Sequence, residues 1–483
     1  MSRTSWTRAA ALLCAIVLIT AACSSDEKSS PATAAPAATE APAASAAPTA
    51  SAAPTATEAP ASSAVTASTG ATETTAATAT TETGSDLTSL GLWDDGPCDA
   101  SLPPLNLGLV TVFASGVLTL QDQAQALEAS AKAFNARGGA NMGCIKVQTC
   151  DDGADPNKAL DCVRELDEGG VSATVNDTTS FGGADVSAAF KAAGIPRFAI
   201  SPGQDDFNDT NSYPFDAGGT GTSIVMPKPL IDAGLKKIAI IRVDTPSATA
   251  LKGFYEAVYT EDGAEFVADL PVPAGTTDYS QFILAAQDAG AQGVVMPIGG
   301  QEGIQVLRAG QQLGADLKYS SSLGTFPLVD IASLGDYASN VILNAAIPPA
   351  GTDDKVVDQL TADLAESGVE ALLRPNLKSS PMRSWVGLYA LLYVIRESKT
   401  TDFSRENLTK LIEESGPIPM LGLMPDWTPK TDHVGAFLRT GQGNYSFWKF
   451  DPNAPFGDAK GNFVKDSDAT FDKIVCGILS GPC

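Results

Sequence analysis

The sequence predicts an α/β protein made of two doubly wound, parallel-sheet lobes joined by crossover hinge segments. Three observations predict it. Short β-rich runs alternate with longer helical ones from Leu105 onward, the rhythm breaks at Asn208–Gly221 and restarts, and a strand-like run returns at Val341–Ile347 before Pro348-Pro349. Strand-helix alternation forces parallel pairing, because parallel neighbours need a long crossover and a helix supplies it. A chain of 483 residues also exceeds one ordinary core, so two lobes plus non-globular sequence are expected.

Taken in order, the strand candidates are Leu105–Val112, Cys144–Cys150, Val171–Asn176, Arg197–Ser201, Lys237–Val243, Phe266–Val272, Gly293–Ile298, Tyr319–Leu323 and Val341–Ile347. Between them Leu118–Arg137, Pro156–Glu168, Asp185–Ala193, Ser223–Ala233, Ser247–Tyr259, Ser280–Ala289 and Glu302–Leu313 carry apolar residues at helical spacing, as in Leu127, Ala131 and Phe134. Asp155-Pro156 sets a cap before a first-turn proline, and Gly138, Gly194, Gly234, Gly290 and Gly314 follow helix ends. Helices Lys355–Glu366, Ser384–Glu397 and Glu406–Glu414 follow, then short β-like pieces at Ala436–Arg439 and Tyr445–Phe450. The expected division is 93–215 for the first lobe's opening segment, 216–345 for the second lobe's, and 346–483 for a returning segment that completes both.

The ends have a different character. Arg3 and Arg8 precede an apolar run, Ala9–Ala22, that falls short of the about 20 residues a spanning helix takes, so residues 1–23 read as an export signal. Thr20, Ala21 and Ala22 before Cys23 resemble the lipobox at which bacterial lipoproteins are acylated, with Thr20 where Leu is usual; the alternative is ordinary cleavage and full secretion. If Cys23 carries lipid, Cys98, Cys144, Cys150, Cys162, Cys476 and Cys483 form an even set of disulfide candidates. Proximity favours Cys150 with Cys162 and Cys476 with Cys483, which leaves Cys98 with Cys144. Residues 24–92 are Ala, Thr, Pro, Ser and Glu in the main, with too few large apolar groups to bury, and read as a solvated tether.

Composition excludes several functions. With 31 Lys+Arg against 56 Asp+Glu, a formal charge of −25 and no basic run, a nucleic-acid partner is not expected. His433 is the only histidine and lies in a polar, turn-like stretch, so His-dependent catalysis and His-rich metal sites lose their candidates. No G-x-S-x-G or H-E-x-x-H motif occurs, and neither a catalytic residue, a metal nor a cofactor is expected.

An ordered series of short motifs resembles one family. It comprises Asn106-Leu107-Gly108-Leu109-Val110, Ala133-Phe134-Asn135-Ala136-Arg137-Gly138-Gly139, Asp152 to Asp155-Pro156 with Ala159 and Leu160, and Ala193-Gly194-Ile195-Pro196. Ile200-Ser201-Pro202, Thr277-Asp278-Tyr279-Ser280 and Gln287-Asp288-Ala289-Gly290-Ala291 continue it. The series, from about Leu105 to Phe450, is similar to type 1 periplasmic binding proteins of the leucine/isoleucine/valine-binding group. The resemblance implies a two-lobed substrate-binding lipoprotein of an ABC importer, anchored by lipid at the outer face of the cell membrane. It would deliver a small polar solute, amino-acid-like, amide or organic acid, to a membrane permease.

The resemblance also implies where the solute sits. In the first lobe the candidates are Ser115, then Asn176, Asp177, Thr178 and Thr179, then Ser201, Gly203 and Gln204, on three loops that follow strands. In the second lobe they are Asp244, Ser247, Gly300, Gln301, Glu302 and Gly324. Hydroxyl and amide groups beside helix starts suit a carboxylate or carbonyl, while Asp177 reads either as a helix cap or as a partner for a cationic group. The second lobe departs from the amino-acid binders: Leu323-Gly324 stands where an acidic residue is expected and no Tyr occupies the Asp244 or Gly300 loops, so branched-chain specificity is not implied. The rival readings are a ligand-sensing receptor with the same fold and an exported hydrolase.

Overall fold

β1 (Leu105–Thr111), α1 (Gln121–Asn135), β2 (Ile145–Asp151), α2 (Pro156–Glu168), β3 (Ala173–Val175), α3 (Gly183–Ala193), β4 (Arg197–Phe198) and β5 (Ser212–Tyr213) build the first lobe. Its strands lie in the order β2-β1-β3-β4-β5, every neighbour parallel. The computed structural model describes residues 87–115, 119–178, 182–201, 203, 205–430 and 438–471. Cys23, Thr179, Gln204, His433, Cys476 and Cys483 therefore lie outside the described residues, as does the side chain of Ser247.

The chain continues through α4 (Gly218–Val225), α5 (Pro227–Asp232), β6 (Lys237–Val243), α6 (Pro246–Tyr259), β7 (Glu265–Val272), α7 (Ser280–Asp288), β8 (Gly293–Val295), α8 (Gly300–Gln312), β9 (Lys318–Ser322), α9 (Leu328–Ala332) and β10 (Val341–Ala345). It then returns to the first lobe as α10 (Lys355–Ala365), α11 (Ser379–Ser398) and α12 (Arg405–Glu414), with α10 and α11 packed on α1. It ends in the second lobe as β11 (Asn444–Phe456) and β12 (Ala459–Thr470). The second sheet runs β12-β11-β10-β9-β8-β6-β7.

Side-chain alternation puts each sheet between two apolar layers. In β6, Ala239 and Ile241 enter one core with Val294, Leu307 and Leu343, while Ile238 and Ile240 enter another with Ile224, Tyr255 and Phe447. In the first lobe, Leu105, Leu107 and Leu109 meet α1 and α11 on one face, and Val110 meets Val163, Leu166 and Phe190 on the other. α11 is apolar nearly all round and buried along most of its 20 residues, as a helix enclosed on every side must be. Disulfides join Cys150 to Cys162, the pair that proximity favoured, and Cys98 to Cys144, the pair left over.

Several expectations need correction. The expected helix Ser223–Ala233 is two helices, because Pro227 and Pro229 supply no N–H and a new helix starts at Pro227. The expected crossover Asn208–Gly221 gives up Ser212–Tyr213 to the first sheet, so the crossing shortens to the residues between Tyr213 and Gly218. The second sheet is mixed, since β10–β11 and β11–β12 are antiparallel and the tail is one long hairpin. Leu438 and Arg439 belong to no strand, and the rest of that expected β-piece lies outside the described residues.

Candidate functional site

Parallel strands aim all their C-terminal ends at one edge of each sheet, where an open α/β sheet offers a crevice. In the first lobe that edge carries the loops after β1, β3 and β4. Thr178 closes the β3 end onto β1 through its N–H, which donates to the Val110 carbonyl at 3.0 Å. Its hydroxyl and that of Thr111 both donate to the amide oxygen of Gln123 in the first turn of α1, at 3.3 and 3.0 Å. Gln123 is buried, so this edge is braced from behind by a polar side chain that sequence reasoning missed.

Asn176 and Asp177 take a different place from the one expected of them. Asn176 sits at φ 58° with its side chain fully buried, donating to Ser384 Oγ at 2.9 Å and to the Ser380 carbonyl at 3.4 Å, both on α11. Asp177 is neither a cap nor open to a cationic solute: it accepts from the Thr174 hydroxyl at 2.7 Å and from Arg197 Nε at 2.9 Å, with no exposure. The physical cause is Arg197, a fully buried cation that opens the short strand β4. Its guanidinium also reaches Asp206 and, at 2.9 Å, the Ser187 hydroxyl, and lies 5.1 Å over the Phe190 ring. Burial works to lower the Arg197 pKa, but the two carboxylates outweigh it and hold the group charged above its ordinary range. The same two residues fix the next loop: Ser201 N–H donates to the main-chain carbonyl of Asp177 at 3.2 Å, and Gly203 N–H to the Asp206 carboxylate at 2.9 Å. Ser115 lies in the loop after β1, where the neighbouring Phe113 N–H donates to Asp151 at 2.8 Å.

The second lobe builds its edge from close backbone approach. A side chain at Gly300 would place its Cβ 2.1 Å from the Thr325 carbonyl oxygen, and one at Gly303 would meet the Phe326 ring at 2.4 Å. The start of α8, with Gln301 exposed and Glu302 in its first turn, is thereby pressed onto the loop after β9. Glu302, after burial, helps to raise the pKa of Tyr279. Gly324 N–H donates to Ser322 Oγ at 3.0 Å. Asp244 stands apart, with its side chain 56% exposed and 4.0 Å from Arg242, which pairs more closely with Asp269.

The N-terminus of α11 brings the two sets of loops together. Ser379 N–H donates to the Leu323 carbonyl at 3.2 Å and Ser380 Oγ to the Gly324 carbonyl at 2.9 Å, while the Ser380 carbonyl accepts from Asn176. Lys378, one residue earlier, pairs with Asp122 of α1 at 2.6 Å. A cavity of about 10 Å³, room for about one water, lies at this seam against Leu323, Leu377 and Ser379. A larger groove of 380 Å³ lies elsewhere, between the last turns of α11 and α12 beside Tyr393, Leu411 and Pro417. At about 1.5 Å per residue that groove is ~20 Å along α11 from Ser380, so its size does not make it the site. Among the described residues no group of three or more His, Cys, Asp or Glu could hold a metal ion, and no helix is long and apolar enough to cross a membrane.

Two α/β lobes, threaded by several crossings and opposing their strand-end loops, define a two-lobed binding protein. The sequence profile of the periplasmic binding protein family matches residues 104–444, and the chain belongs to that family. The Leu/Ile/Val-binding protein homolog 7 of Brucella suis biovar 1 is 24% identical over 340 residues, covering 65% of this chain and 83% of that one. Among solved structures, the fatty acid ABC transporter substrate-binding protein from Thermomonospora curvata superposes with a TM-score of 0.64 at 15% identity, over 80% of this chain and 97% of the other. The closed leucine-, isoleucine-, valine-, threonine- and alanine-binding protein from Brucella ovis gives 0.62 at 15% identity, over 76% and 96%. A solute-binding protein of an ABC transporter from Rhodopseudomonas palustris BisB5, in complex with 3,4-dihydroxybenzoic acid, gives 0.62 at 15% identity, over 76% and 97%. These structures share the fold.

Proposed function

We propose that this protein is a lipid-anchored receptor that captures a small polar solute between its lobes and delivers it to the permease of an ABC importer. One observation carries the reading: strand-end loops of both lobes converge on Ser380, which bonds Asn176 on one side and Gly324 on the other. The relatives' names speak of amino acids, a fatty acid and a hydroxylated benzoic acid, and the common chemistry is a carboxylate on a small body. Solute contacts are proposed for Ser115, Thr178, Thr179, Ser201, Gly203 and Gln204 from the first lobe, and for Asp244, Ser247, Gly300, Gln301, Glu302 and Gly324 from the second. Asn176 and Asp177 hold their loop from behind. Lipid on Cys23 and the Ala-, Thr- and Pro-rich stretch that follows keep the body at the membrane and within reach of a permease. That stretch gives way to the packed body by Leu87, where Leu87–Leu90 form a 3-10 helix and Leu92 is buried among first-lobe core residues.

A solute that touches both loop sets favours the closed form by its differential affinity for it. The test is a thermal-shift screen of the mature chain against amino acids, short amides, ureas and aromatic acids. A solute at 100 times its Kd adds about 2.7 kcal/mol, a rise of roughly 3 °C in Tm for a body of this size. The paired variants T178A and Q204A should abolish that rise and leave the Tm of the solute-free protein nearly unchanged. A large fall in the solute-free Tm would instead mark both as structural and sink the site assignment.

A further inference from the structure

Arg383 is a buried cation on the second turn of α11, in the first lobe, and its guanidinium has three kinds of partner. It pairs with Asp216, donates to the Ile200 carbonyl at 3.0 Å, and donates through Nε to Asn176 Oδ1 at 3.3 Å; its plane also lies 4.3 Å over the Phe215 ring. Phe215 and Asp216 are in the first crossing between the lobes. The other oxygen of Asp216 accepts the N–H of Gly218 at 3.0 Å, the first residue of α4, and α4 packs on β9 and β10 of the second lobe. One carboxylate thus holds a first-lobe helix through one oxygen and a second-lobe helix through the other.

The same crossing is pressed against the third one. Asp216 is bridged to Gln442, whose N–H donates to the Phe215 carbonyl at 3.2 Å. Gly441 has φ 61°, and a Cβ there would lie 2.7 Å from both Asp216 N and the Pro214 carbonyl oxygen. Two crossings in backbone contact at Gly441 form a narrow axis about which the lobes can turn, and the Arg383–Asp216 pair sits on that axis.

We propose that Arg383 is the positioning residue of the hinge: through Asp216 it sets the angle between the lobes, and through Asn176 and Ile200 it ties that angle to the first-lobe strand-end loops. Turning the second lobe moves Gly218, and with it the Asp216 carboxylate, relative to the guanidinium; the fork must re-form or break, which gives the hinge a preferred angle. The link to solute capture rests on the function proposed above, whereas the hinge itself does not.

The full chain, with its disulfides intact, is labelled with nitroxides through E128C on α1 and Q287C on α7, both exposed, and the distance distribution between lobes is read by pulsed EPR without solute. D216N removes the charge facing Arg383 and keeps an oxygen for Gly218 N–H. It and R383Q should broaden the distribution about twofold, with R383K, charged but unable to fork, in between. Unchanged widths in D216N and R383K, with only the melting temperature lowered, would overturn the proposal and leave Arg383 an ordinary paired core residue. Should D216N fail to fold, R383K decides alone. Because no solute is present, an empty solute screen bears on the capture reading and leaves this result intact.

Discussion

The strand-end edges of the two lobes, the first and second walls of the proposed cleft, are built on opposite principles. In the first lobe, polar side chains behind the loops are locked by buried charge: Asp177 and Asp206 on Arg197, and Asn176 on Arg383. In the second, the wall is shaped by missing side chains, with Gly300 against the Thr325 carbonyl and Gly324 bonded through its backbone to Ser322 and Ser380. A buried ion pair is directional and tolerates little displacement, so the first wall is a fixed template. Backbone contact leaves the exposed side chains of the second, Asp244 and Gln301 among them, outside the packing.

The sharpest break of that contrast is R197M. Removing the cation leaves Asp177 and Asp206 buried with no counter-charge, and losing one partner of a buried pair costs about 3–5 kcal/mol. Urea denaturation should show the midpoint falling with the slope unchanged. A loss below about 1 kcal/mol, the range of an exposed ion pair, would show that the first wall is not held by charge.

A smaller effect sharpens the other side. G300A adds a Cβ 2.1 Å from a backbone oxygen, which cannot rotate away as a side chain would. Overpacking of this kind costs about 1–3 kcal/mol, offset in part by the better helix propensity of Ala. G219A is the control: nothing lies within 4 Å of a Cβ there, and the change should be neutral or stabilising by about 0.5–1 kcal/mol. Equal effects of the two changes on Tm would remove close approach as the organising feature of the second wall.

The same contrast explains what could be read ahead of the structure. β6 and α2 were readable to the residue, because an aliphatic run ends at Asp244 in one and Asp155-Pro156 caps the start of the other. β12 was missed: Lys-Gly-Asn-Phe-Val-Lys-Asp-Ser-Asp is too polar to look like a strand and becomes one by pairing with β11 at the sheet edge. Of the site, the glycines at loop starts were visible, and the charge network was not. Asn176 and Arg383 stand 207 residues apart in sequence, and only the return of α11 to the first lobe joins them. Arg197 did leave a signal: a lone cation within Ile195-Pro196-Arg197-Phe198-Ala199-Ile200 has to be paired if that strand is buried.

The smallest effect lies at the same edge of the first lobe, where one carboxylate escapes the pairing. Asp152 is fully buried after β2; one oxygen accepts Ala154 N–H at 3.0 Å and the other has no hydrogen-bond partner. Burial raises its pKa above the ordinary 3.8, the Ala154 N–H lowers it, and the Asp151 charge raises it further. The folded protein therefore holds this proton more tightly than the unfolded chain does. Stability from that source is full below about pH 3.8 and is lost as pH rises through the higher folded value. D152N keeps a carbonyl for Ala154 and carries no charge to bury, so its stability relative to the parent should climb across that window and then level off at neutral pH. A variant that instead loses ground as pH rises would mean that the Asp152 anion is favoured by the fold, and that the first wall uses this carboxylate as it uses Asp177.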